Sequence, residues 1–145
     1  MITATRQQIV TSGMRWLGTP FKHDASVLGV GVDCARLVEA APRGVGLYNG
    51  IILPRYRPDP DPDVMRQILN AFLDPIPFSE LRQADVIWFR VVKPQHLGLV
   101  VSTDPLTILH AFNGAPERQE VILTRVFGIW RERIVGCFRY RGVVD

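Results

Sequence analysis

Cysteine is scarce in this chain, with two residues in 145, Cys34 and Cys137. Two cysteines do not make the disulfide framework of a small secreted domain, and no Cys-x-x-Cys spacing marks a metal site, so neither a metal nor a cofactor is expected. Long apolar runs are missing too. Nothing approaches the roughly 18 apolar residues of a membrane-spanning helix, so no membrane insertion is expected. The opening MITATRQQIV lacks a charged region followed by an apolar one, so no signal peptide is read and synthesis in the cytoplasm is expected. Concentrated charge is absent as well. Seventeen basic and 14 acidic residues leave a net charge of +3, but the arginines are scattered and no basic run with interleaved aromatics marks a nucleic-acid surface. There is no repeat, low-complexity segment or linker, so residues 1–145 read as a single domain.

What is present is a change of pattern partway along. Thr5-Arg6-Gln7-Gln8 has capping-box form, and Ile9, Val10, Gly13, Met14 and Leu17 share a helical face that Gly18 and Pro20 stop. Residues 19–32 read as a loop. Asp33 suits an N-cap, and Cys34, Leu37, Val38 and Ala41 recur at helical spacing until Pro42 closes the run. Residues 43–63, rich in Pro, Gly and Arg, should wrap the surface. A further helix starts at Asp61-Pro62, with Val64, Met65, Ile68, Leu69 and Phe72 as its apolar residues. From Asp85 the residues turn β-branched and aromatic: DVIWFRVV, HLGLVVS, LTILHAF, VILTRV and IVGCFRY read as successive antiparallel strands. Helices first and strands afterwards predict an α+β domain with helices on one face of the sheet.

Two readings of Cys34 compete. It lies on an apolar helical stripe, where free cysteine is commonly a buried core residue; Cys137, inside a strand, reads as core in the same way. Yet a cysteine in the first helical turn sits beside unpaired N–H groups and the positive end of the helix dipole, which favours the thiolate nucleophile and a lowered pKa. The histidines favour the second reading. A hairpin centred on Thr103 would make His96 and His110 direct cross-strand neighbours on one face. A helix-start cysteine with two such histidines fits a nucleophile, a base and an orienting group.

The same stretches resemble a family. WLGTPFKHDASVLGVGVDCARLV, QADVIWFR, QHLGLVV and ILHAF are similar, in order, to the motifs of the NlpC-type cell-wall cysteine peptidases. The ending WRERIVGCFRY resembles most the branch found among tail genes of tailed phages and gene transfer agents. The resemblance implies a papain-like α+β fold with N-terminal helices on an antiparallel sheet. It makes Cys34 the nucleophile, His96 the general base and His110 the group that orients the imidazole. The implied substrate is an amide bond of a bacterial peptidoglycan stem peptide, often beside D-glutamate or diaminopimelate. The tail-gene likeness implies a mature place on a virion tail tip, docked to tail-hub or baseplate proteins and acting on a host cell wall. The apolar NGIILPRY, residues 49–56, is then the candidate docking contact.

The chain departs from the family pattern at three places. Phe21 stands where a tyrosine is frequent, Ala35-Arg36 where Ser-Gly is usual, and Ala84-Asp85 where Gly-Asp is usual. Phe21, His23, Asp33 and Arg36 are the candidate substrate-binding residues, Arg36 as a possible carboxylate clamp. Two rival readings follow from the same residues: a tail-tip or baseplate building block with weak or lost catalysis, and a zinc hydrolase using Cys34, His96 and His110.

Overall fold

The computed structural model describes residues 2–49, 51, 53–58, 60–90 and 95–145. Side-chain caps start its three longer helices. The Thr5 hydroxyl accepts from the Gln8 N–H at 3.1 Å and Gln8 Oε1 accepts from the Thr5 N–H at 2.8 Å, opening α1 (Arg6–Met14) as the capping box predicts. Asp33 opens α2 (Cys34–Arg43) by accepting from the Arg36 N–H at 2.8 Å. Asp61 opens α3 (Pro62–Phe72), with proline in the first turn.

A parallel pair, β1 (Ala4–Thr5) and β10 (Val143–Val144), joins the two ends of the described chain. A short hairpin, β2 (Ser26–Val27) and β3 (Gly31–Val32), lies within the segment read as a loop. The main sheet has six antiparallel strands in the order β4 (Leu73–Ile76), β9 (Ile134–Tyr140), β5 (Val86–Arg90), β6 (Gln95–Thr103), β7 (Leu106–Ala115) and β8 (Arg118–Arg125), and a helical turn, α4 (Ile129–Glu132), precedes β9. One face buries Val86, Trp88, Leu97, Leu99 and Leu109 against Ile9, Leu37, Val38 and Ala41 of the helices. The other buries Ile87, Phe89, Val100, Ile108 and Cys137, with Trp130 of α4 packed on them. Among the described residues no helix is long and apolar enough to cross a membrane.

Several local expectations change. The first helix ends at Met14, because Trp16 and Leu17 donate to Gly13 and Met14, three residues back. That tighter turn swings Leu17 outward to 43% exposure. Pro42 lies inside α2 rather than beyond it. Proline lacks the N–H that would bond the Val38 carbonyl, and the buried Tyr140 hydroxyl donates to that carbonyl instead, at 2.6 Å. The strand β4 is additional: it lies at the sheet edge, where its Pro75 is tolerated. Val64, expected among the apolar residues of α3, is exposed. Of the segment 49–56 proposed for docking, Gly50 and Ile52 lie outside the described residues.

Before β5, Ala84 has φ +72°, a left-handed conformation that favours glycine. Asp85 behind it is fully buried and accepts from Arg6 at 3.1 Å, from Arg139 at 3.0 and 2.9 Å, and from the Arg82 N–H at 2.8 Å. This cluster ties α1 and β9 to the start of β5.

Candidate active site

The hairpin of β6 and β7 carries both histidines, in a register different from the one expected. Leu99 pairs with Leu109 and Val100 with Ile108, but Thr103 pairs with Leu106 across a tip at Asp104-Pro105, with an irregularity between Val100 and Ser102. Extending that register puts Gly98 opposite His110 and Phe112 opposite His96. The histidines are therefore diagonal rather than direct neighbours. The offset is two residues, so both still point to one face; a slip of one would have separated them. Their rings meet with His96 Nε2 2.6 Å from His110 Nδ1. Gly98 keeps this face clear, because a Cβ there would stand 2.7 Å from Ile108 Cδ1.

Cys34 is the first residue of α2 and half-buried. It lines a cleft of about 140 Å³ together with His96, Gln95, Tyr56 and Trp130. Phe21, His23 and Asp33 line the same cleft. His110 stands behind His96, fully buried. His96 Nε2 is committed to His110, and among the described residues His96 Nδ1 has no hydrogen-bond partner.

Arg36 faces elsewhere. Its guanidinium donates to Asp24 at 2.8 and 3.0 Å, to Glu39 at 3.2 Å and to the Leu53 carbonyl at 3.3 Å, and it lies over the Tyr56 ring. A guanidinium so engaged is part of the frame of the α2 N-terminus, not a free clamp. Asp33 is similarly occupied: besides its cap to Arg36 it accepts from the Asp24 N–H at 2.6 Å and from the Tyr56 hydroxyl at 2.5 Å. His23 is exposed at the rim, its ring edge against Tyr56 and its Nδ1 3.7 Å from Asp33.

The electrostatics correct one expectation. Burial pushes the Cys34 thiol up to about 12, with the Asp33 carboxylate adding to the rise, and the N–H groups of Leu97, Ala35 and Cys34 itself only partly oppose it. The helix-start field is present but loses to desolvation. Burial also lowers His96 to about 4 and His110 to about 2, the latter with a further contribution from His96. The rings of Phe89, Phe112 and Trp130 supply that apolar surround, Trp130 standing 5.9 Å from His96 and 5.3 Å from His110. At neutral pH the resting site is thus a thiol beside two uncharged imidazoles, and a neutral imidazole is the form that can accept a proton.

Sequence reasoning missed Thr124, whose Oγ1 lies 2.7 Å from His110 Nε2. It also missed the Trp88 Nε1–H that donates to Gln95 Oε1 at 2.6 Å, and Tyr56 on Asp33. A threonine in a strand is ordinary, so only the β7–β8 register could have drawn attention to Thr124.

No family model and no curated relative matches this sequence. Solved structures do match its fold. An NlpC/P60 family protein from Bacillus cereus superposes with a TM-score of 0.70 at 18% identity over 95% of this chain and 41% of that one. The NlpC/p60 domain of the peptidoglycan hydrolase SagA matches at 0.65 and 13% identity, over 93% of this chain and 98% of that one. The peptidoglycan hydrolase RipB of Mycobacterium tuberculosis matches at 0.60 and 19%, over 92% and 63%. This chain thus spans less than half the length of the Bacillus cereus protein and nearly all of the SagA domain. Its α+β architecture, with helices on an antiparallel sheet, is the NlpC/P60 fold.

Proposed function

We propose that this protein is a cysteine peptidase that hydrolyses amide bonds in peptidoglycan stem peptides. The observation that carries the reading is that Cys34 and His96 line one cleft, while His96 Nε2 is held 2.6 Å from His110. As Cys34 Sγ bonds to the scissile carbonyl carbon, its proton passes to His96 Nδ1. The thiol is uncharged at rest, so proton transfer accompanies attack. The N–H groups of Cys34 and Ala35, which act on the sulfur, are the candidate donors to the oxyanion. Collapse breaks the C–N bond while His96 returns the proton to the leaving amine. Water then cleaves the thioester, giving its proton to His96 and restoring the thiol. His110 holds the imidazole, and Phe21, His23 and Asp33, which line the same cleft, are the candidate contacts to the peptide.

The substrate class rests on the motif likeness and on the fold shared with proteins described as peptidoglycan hydrolases. The finer reading, carriage on a phage-type tail tip by tail-hub proteins to a host wall, rests on the likeness of WRERIVGCFRY alone. The test is digestion of purified peptidoglycan with analysis of the released muropeptides. The wild type should release peptides, and both the alkylated protein and Cys34→Ala should release none. Equal release by Cys34→Ala would overturn the reading, and no release by any form would favour a structural role.

A further inference from the structure

The imidazole row continues beyond His110. Thr124 lies on β8, where it pairs with Ile108 while Ile122 pairs with His110, and its Oγ1 stands 2.7 Å from His110 Nε2. We propose that Thr124 is a positioning residue that sets, through His110, which nitrogen of His96 carries the proton. The proposal builds on the peptidase reading above.

The argument is one of hydrogen inventory. A neutral imidazole has one N–H and one bare nitrogen. For His96 Nδ1 to accept the Cys34 proton, His96 must carry its own on Nε2. Across 2.6 Å that N–H needs an acceptor, so His110 must present a bare Nδ1 and hold its proton on Nε2. There the described residues offer it one hydrogen-bond partner, the Thr124 oxygen, with the rings of Phe112 and Trp130 close by.

Removing that oxygen leaves a buried N–H without an acceptor, which is costly. The escape is for His110 to move its proton to Nδ1. That N–H then faces His96 Nε2, which must become the acceptor and shift its own proton to Nδ1, the nitrogen that the peptidase reading needs bare. An imidazole protonated there cannot take the proton of Cys34. A hydroxyl on the second strand from β6 thereby controls a base it does not touch.

The experiment compares Thr124→Val, which keeps shape and loses the oxygen, with Thr124→Ser, which keeps the oxygen, and Thr124→Ala as a smaller hydroxyl-free variant. Imidazole ¹⁵N spectra of the folded proteins should show both histidines as Nε2–H in wild type and Thr124→Ser. A second set of Nδ1–H signals should appear in Thr124→Val and Thr124→Ala. Hydrolysis by Thr124→Val should lose roughly tenfold in kcat with KM within about twofold, and Thr124→Ser should restore it. In a His110→Ala background Thr124→Val should cost nothing more. Unchanged tautomers in both hydroxyl-free variants, or an equal further loss in the His110→Ala background, would overturn the proposal. The spectra need no substrate, so a tautomer shift in a protein that releases no peptides would support the latch while sinking the peptidase reading.

Discussion

On the α2 side of the cleft, Asp33 accepts from three donors and Arg36 is held by Asp24 and Glu39; on the sheet side, His96 and His110 touch each other, a threonine and aromatic rings. The first wall is charged and saturated, the second uncharged and ringed by aromatic side chains. Paired charges fix the position of the helix start and leave little capacity for a ligand. The desolvated imidazoles stay neutral and keep one nitrogen free. Cys34 sits at the seam. Burial and Asp33 both hold it as a thiol, so under the proposed function the pair starts as a neutral thiol and a neutral imidazole rather than as a preformed ion pair.

The largest effect should come from breaking the neutral wall. His96→Ala should lower hydrolysis by roughly 10²–10⁴-fold, the usual worth of a general base. His110→Asn should keep a measurable part, since an amide oxygen can accept the His96 N–H. Initial rates on peptidoglycan fragments would check the ranking, and the reverse order would mean that the two roles are exchanged.

Acid should weaken the same wall in two ways. Hydrolysis should hold as pH falls and fail only near pH 4, where His96 charges. Stability should fail earlier: below about 6.5 the unfolded histidines bind protons that the buried ones refuse, so unfolding is favoured progressively from pH 6.5 down to about 4 for His96 and about 2 for His110. A pH series of melting curves would show Tm dropping across that window, and a flat Tm there would contradict the burial of the pair. Trp130→Ala, which admits water, should move the acid limb of activity upward toward ordinary imidazole values.

The charged wall should respond with the opposite sign. Asp33→Asn removes a carboxylate that raises the Cys34 thiol, so Cys34 should alkylate faster at a given pH. The same change weakens the cap and the bond to Tyr56 and should cost about 1–3 kcal/mol of stability. Iodoacetamide labelling followed by peptide mapping would read the first effect and denaturant unfolding the second. Slower labelling would mean that the Asp33 charge does not govern the thiol. The smallest effect belongs to Ala84→Gly. It relieves the positive φ but loses a buried methyl and loosens the unfolded chain, so stability should stay within about 1 kcal/mol of wild type.

The contrast between the walls also explains what the sequence could reveal. Helix caps at Thr5, Asp33 and Asp61 were legible because they depend on near neighbours. That the two histidines share one face was legible from strand periodicity, whereas the joining of Cys34 to His96 in one cleft was implied by the family resemblance. The register was not, because the irregularity after Val100 and the tip at Asp104-Pro105 shift the pairing by two residues. Tyr56 and Asp24, which complete the charged wall, lie in irregular segments where no period announces a partner. The direction of the thiol pKa needed its burial and the Asp33 carboxylate beside it, and a dipole argument from helix position alone gives the wrong sign.

The most direct test of the central claim, that Cys34 is the nucleophile served by His96, is mass-spectrometric mapping after incubation with a stem-peptide vinyl sulfone. The account predicts one adduct, on Cys34 and not on Cys137, and a much slower adduct in His96→Ala. An adduct on Cys137, or labelling of Cys34 at the same rate without His96, would contradict it.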